Sequence, residues 1–216
     1  MHHASFVIIS GKIIYIDPYR IKPQDTLKSD FVLITHDHFD HFSPDDINRV
    51  SGDKTIVIVP ESIRNVSGIL GRVQTISTHE SLLFDNMRIS TIPAYNNDKP
   101  FHKKGFGVGY VIDIIEHGKE YCIYHAGDTD FTSEMRMLSG VDYALIPVGG
   151  TYTMDSRDAS GFIRAVRPKN MIPMHYGDTV GISLQDDLMP LREACKETGT
   201  RLIVLKPQEH IDFYSK

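Results

Sequence analysis

Residues 31–41 read FVLITHDHFDH, and the fold turns on how this stretch is read. Phe31, Val32, Leu33 and Ile34, closed by Thr35, form a buried-type strand that stops abruptly. His36, His38, Asp40 and His41 then crowd into six positions. Neutral imidazoles and a carboxylate at this density are the ligand set of zinc or a similar borderline divalent ion. On an extended or tightly turned segment His36 and His38 share one side of the backbone, and Asp40 and His41 can face a second centre. A solvated polar loop is the ordinary alternative. The end of a buried strand, however, is where ligand-bearing loops are expected.

Two more apolar runs end the same way. CIY leads to His125 with Asp128 just beyond, and MIPM leads to His175. If the three strand ends lie along one edge, His36, Asp128 and His175 converge.

The His-x-His-x-Asp-His motif resembles the signature of metallo-β-lactamase fold hydrolases. YHAGDTD (Tyr124 to Asp130) resembles that superfamily's bridging-aspartate segment, and PMHYG (Pro173 to Gly177) its last-histidine segment. HASF (His3 to Phe6) and IDP (Ile16 to Pro18) resemble the branch containing ascorbate-6-phosphate lactonase and uncharacterised relatives. The resemblance implies a four-layer αββα sandwich of α/β (α+β) class; the pattern of elements alone gives only a generic α/β domain. It also implies two divalent ions, zinc first, with manganese, iron or nickel as alternatives. His36 and His38 would bind one ion, Asp40, His41 and His175 the other, and Asp128 would bridge them.

The first site needs one more histidine. Relatives carry it shortly after the strand ending PA, where this chain has Tyr95-Asn96-Asn97. His102 is the favoured replacement; an asparagine, a water or His125 are the alternatives. Asp40 would ligate and orient a bridging hydroxide. His125 would either donate a proton to the leaving group, or hold an oxyanion, or serve as a supporting hydrogen-bonding residue. His3 is a candidate supporting residue, while His79, His117 and His210 read as solvated and His2 as incidental. Tyr95 and Tyr176 adjoin the site in sequence.

Residues 1–216 read as one domain with a sizeable core, at 41% hydrophobic content. SFVIIS and IIYID flank Gly11-Lys12 as a hairpin, and Asp85-Asn86 marks a second. Ser43-Pro44-Asp45-Asp46 announces a helix to about Val50. Thr55 to Pro60 is a strand, followed by a short helix from about Glu61. VQTIS, VGYVIDII, YCIYHA, DYALIPV and RLIVLK read as further strands. Helices are expected over Ser133 to Leu138, from Asp155 or Ser156 to Val166, and over Leu184 to Gly199 with Pro190 as a kink or restart. The family usually has a short strand before HASF, which the start at Met1 leaves missing or trimmed.

Net charge is −5, from 23 basic and 28 acidic residues, which argues against nonspecific nucleic-acid binding. Two cysteines, Cys122 and Cys195, make no disulfide framework and fit a cytoplasmic setting. No stretch approaches a membrane span. Lys99, Lys103 and Lys104 could hold a phosphate or carboxylate, or simply form an exposed basic loop; the Gly149-Gly150 turn could offer amides to an anion. A metal-dependent hydrolase of an ester, lactone or phosphoester in a small molecule, with an anionic one among the options, is the leading expectation. A nuclease or RNA-processing phosphodiesterase and a non-hydrolytic di-iron redox protein of the same fold are the alternatives. His38 stands where oxygen-reducing relatives usually have glutamate, which disfavours the last.

Overall fold

The computed structural model describes residues 3–177 and 188–212. β1 (Phe6–Ser10) and β2 (Lys12–Ile16) form the expected hairpin, with Gly11 at φ 55°. β3 (Phe31–Leu33), β4 (Ile56–Pro60) and β5 (Arg72–Ile76) then add in parallel, giving a sheet in the order β1-β2-β3-β4-β5. β6 (Ser81–Phe84), β7 (Met87–Ala94), β8 (Gly107–Glu116) and β9 (Lys119–His125) form an antiparallel meander. β10 (Tyr143–Pro147), β11 (Asn170–Met174) and β12 (Arg201–Leu202) continue it in parallel, completing a seven-stranded sheet. The helices are α1 (Pro44–Val50), α2 (Ser156–Val166) and α3 (Met189–Thr198).

Strand parity builds the layers. In β2, β3 and β4, Ile14, Ile16, Phe31, Leu33 and Ile58 pack into one cluster with Ile89, Tyr110 and Ile112 of the second sheet. Their neighbours Tyr15, Val32, Val57 and Val59 point the other way, onto Ile47 and Val50 of α1. A strand buried on both faces reads as a continuous apolar run, which is why FVLI lacks alternation. Across the second sheet, Tyr124 stacks on Phe162 of α2 with ring centroids 6.0 Å apart. The result is an αββα sandwich. Burying each such side chain contributes about 1.5–3 kcal/mol.

Local chemistry fixes the helix starts. Ser43 caps α1 and Pro44 occupies its first turn; the Asp46 carboxylate also accepts from the Arg20 and Ile21 amides at 2.8 and 3.0 Å, tying the β2–β3 connection to the helix. Asp155 caps α2 by accepting from the Arg157 and Asp158 amides. Pro190 lies in the first turn of α3, where a missing N–H costs nothing; Leu184 to Asp187 of the expected helix lie outside the described residues.

Three expectations are corrected. Residues 61–70 form turns rather than a helix, with Gly68 at φ 81° and Ser62 reaching across to the Phe106 carbonyl at 2.6 Å. Ser133 to Leu138 contains a single 3-10 turn, Glu134–Met137. RLIVLK contributes only Arg201 and Leu202 to the sheet.

Candidate metal centre

β3 ends because its ladder is interrupted. The Ile34 amide still bonds the Ile58 carbonyl at 2.9 Å, but the Thr35 amide donates to Asp17 Oδ1 at 2.8 Å. Asp17, fully buried just past β2, also accepts from the Thr35 hydroxyl at 2.6 Å and from His41 Nδ1 at 2.7 Å. The Thr35 oxygen in turn accepts from His36 Nδ1 at 2.9 Å. One carboxylate therefore orients two rings of the motif, and both Nε2 atoms are left facing inward.

Gly127 turns the chain back after β9 with φ +63°; a Cβ there would lie 2.9 Å from the Val108 carbonyl oxygen and 3.1 Å from Thr35 Cβ. The turn brings Asp128 under the His36 loop. His175 follows β11 directly, and Gly149 after β10 makes room for it, since a Cβ there would sit within 2.4 Å of the His175 carbonyl oxygen. Ligand-type residues thus gather at the C-terminal ends of β3, β9 and β11.

Asp128 stands at the middle. Its Oδ2 lies 2.9 Å from His175 Nε2, 3.3 Å from His102 Nε2 and 3.9 Å from His36 Nε2, and its Oδ1 lies 3.4 Å from His41 Nε2. His102 Nε2 is 3.3 Å from His38 Nδ1. His102 therefore joins the cluster from the far end of its loop. Its Nδ1 donates to Asn96 Oδ1 at 3.1 Å and the Tyr152 carbonyl at 3.2 Å. Asn96, in the Tyr95-Asn96-Asn97 stretch, holds the ring from behind. Ligand atoms of His36, His38 and His102 form one mutually close set, those of His3, Asp40, His41 and His175 another, and those of His36, His41 and Asp128 a third, all within 4.8 Å inside each set.

His36 Nε2, His41 Nε2 and Asp128 Oδ1 are buried without hydrogen-bond partners. Buried polar atoms left so are costly, and nitrogen and carboxylate donors in this arrangement fit a divalent cation. At His36 and Asp128 the electrostatics agree, while at His41 a proton competes. Burial, reinforced by neighbouring His41, holds His36 well below the usual imidazole range, which favours the neutral ligand form. Burial opposes charge on His41 too, but Asp128 and Asp17 outweigh it and raise its pKa to about 9. Burial likewise opposes charge on Asp128, and His175 and His41 overcome it, holding the carboxyl well below its ordinary value.

His3 and Asp17 carry more than the sequence suggested. His3 Nε2 lies 3.0 Å from Asp40 Oδ2, and its ring centroid is 3.9 Å from that of His175. The IDP run was visible, but nothing local tells a buried carboxylate aimed at His41 from an ordinary loop aspartate. His125 is placed outside the cluster. Its Nε2 donates to the Ala4 carbonyl at 2.9 Å and its Nδ1 accepts from the Gly127 amide at 3.2 Å. With its ring fully buried and both nitrogens hydrogen-bonded, His125 has the geometry of the supporting option among the expected roles.

The anion-holding expectation also changes. Lys99 donates to Asp130 and the Thr153 carbonyl at 2.7 and 2.6 Å, and Lys104 pairs with Glu134 at 2.6 Å; Lys103 is exposed. The Gly150 and Thr151 amides bond within their own turn. Tyr95 donates to Glu134, and Tyr176 to the Leu205 carbonyl. His79, His117 and His210 are exposed.

Two packed sheets with histidines and aspartates gathered at strand ends define the metallo-β-lactamase class of fold. The chain belongs to that superfamily: the family model for the beta-lactamase superfamily domain matches residues 1–175. It is similar to a UPF0173 metal-dependent hydrolase of Pyrococcus horikoshii, 30% identical over 97% of this chain and 96% of that one. Another from Thermoplasma volcanium is 32% identical over 97% and 96%. The solved structure of Igni18, a novel metallo hydrolase from Ignicoccus hospitalis, superposes with a TM-score of 0.79 at 26% identity, covering 100% of this chain and 97% of that one. The protein is a metal-dependent hydrolase. Among the described residues no helix is long and apolar enough to cross a membrane.

Proposed function

We propose that the protein hydrolyses an ester, lactone or phosphoester bond in a small molecule with the help of two divalent ions, zinc fitting the donor set best. His36, His38 and His102 would hold one ion, Asp40, His41 and His175 the other, with Asp128 between them. When bound, such ions acidify water and polarise the oxygen of the scissile bond. The observation that carries this reading is the set of inward, unpartnered ligand atoms around Asp128, with His36, His41 and His102 each held at Nδ1 from behind.

The chain's own groups supply orientation and proton handling. Asp40, with 13% of its side chain exposed, is the carboxylate that solvent and substrate can reach, and it can accept a proton from the attacking water. His3 steadies that carboxylate. His125, by holding the Ala4 carbonyl, positions the segment that carries His3. Its role in this reading is support rather than proton transfer.

Metal content by elemental analysis, paired with a panel of ester, lactone and phosphodiester substrates, tests the reading. Two ions per chain and turnover under strict anaerobiosis without an electron donor are expected. Asp128→Ala should lose metal and activity together; a variant that keeps both overturns the bridging assignment. Turnover that requires oxygen and reductant would favour the redox alternative instead.

A further inference from the structure

We propose that the substrate carries an aromatic or comparably flat apolar group, seated on a rim of Phe39, Phe101 and Tyr152 at the open side of the histidine cluster. The inference rests on the hydrolase reading and adds the substrate class. Phe39 is 73% exposed, and Phe101 and Tyr152 are each 41% exposed. Among the described residues these are the aromatic members of the exposed large hydrophobic side chains, the rest being aliphatic or methionine. All three are anchored to candidate ligands. Phe39 lies between His38 and Asp40 in sequence, Phe101 precedes His102, and the Tyr152 carbonyl accepts from His102 Nδ1 at 3.2 Å.

Phe101 and Tyr152 meet edge to face with centroids 4.8 Å apart, so they present a preformed aromatic corner. Half-buried Phe106 extends the apolar surface against the same rings, 5.1 Å from His38 and 6.1 Å from His102. Isolated exposed hydrophobics need no explanation, but exposed aromatics that adjoin His38 and His102 in sequence, two rings whose nitrogens are 3.3 Å apart, point to a ligand, with Phe39 backed edge-on by Tyr19 at 6.2 Å. Of the groups that would favour an anion instead, Lys99 is committed to Asp130, Lys104 to Glu134, and the Gly150 and Thr151 amides to their own turn, which leaves exposed Lys103 as the cation that a phosphorylated ester probes.

The test uses the zinc-loaded full chain with methyl 4-phenylbutyrate, methyl butyrate and a phosphorylated ester of similar size. The phenyl ester should exceed the butyrate ester about tenfold in kcat/KM, through KM, as one aromatic contact with its buried area allows. Phe39→Ala and Tyr152→Ala should each shrink that ratio severalfold while metal content and Tm stay at the wild-type values. Equal rates for phenyl and butyrate esters, a preference for the phosphorylated ester, or a ratio unmoved in both variants overturns the rim. If no ester is cleaved, the ester option of the hydrolase reading falls while the lactone and phosphoester options stand, and 4-phenylbutyrate binding followed by ligand-observed NMR decides the rim separately. Saturable binding that weakens in Phe39→Ala upholds it, and no binding, or binding matched by butyrate, overturns it.

Discussion

At Asp17 one buried carboxylate collects three donors, the Thr35 amide, the Thr35 hydroxyl and His41 Nδ1. Asparagine there would present an N–H₂ group to at least one of those donors. Asp17→Asn is expected to weaken metal binding about 10- to 100-fold, read by chelator competition, because the ring orientation it enforces is lost. His41 gives a pH signature in the chelated protein. Its pKa rises from 6.5 to about 9 on folding, so the stabilisation from its protonation is full below pH 6.5 and disappears as pH climbs through about 9. Urea midpoints of the chelated protein should therefore fall across that window, and metal affinity should rise as the competing proton leaves. His41→Gln should flatten the urea trend. The proximity of His36, His38, Asp40 and His41 was legible because they fall within six positions of one motif. Asp17 and His3 were not, because their roles depend on packing against segments far along the chain.

Elements were readable where local chemistry decides them. Ser43-Pro44 and Asp155 announce helices through backbone donors that any helix start leaves open, and both do so here. The expected helix after Glu61 failed because short polar segments follow tertiary anchors such as the Ser62 bond to Phe106 rather than propensity. Gly127 and Gly118 make a paired test of the β9 turns. Both have positive φ, at +63° and +75°, but an added Cβ at Gly118 meets nothing within 4 Å, whereas at Gly127 it meets the Val108 carbonyl. Gly118→Ala should cost about 1 kcal/mol from backbone strain alone. Gly127→Ala should cost clearly more in urea titrations and should also lower metal content, since Asp128 is the next residue. Equal costs would show that the turn tolerates the displacement.

The whole molecule closes around a polar centre. His36, His41, Asp128 and His175 are all nearly fully buried, so the interior holds a titratable cluster as well as apolar packing. Removing metal with a chelator should lower Tm by roughly 10 °C, since a ligand present at about a thousand times its Kd contributes about 4 kcal/mol. An unchanged calorimetric Tm would mean that the cluster is stable without a cation. By itself the sequence determined the strand-then-ligand pattern at His36, Asp128 and His175 and the starts of α1 and α2, because apolar periodicity, caps and motif spacing act over a few residues. Tertiary structure alone decided that His102 reaches the cluster with Asn96 behind it, that His125 turns to the Ala4 carbonyl, and that Lys99 and Lys104 are taken by Asp130 and Glu134. Apart from the short Asn96–His102 bond, those outcomes are choices among partners tens of residues apart, and only the packed sheets bring the competing partners within reach.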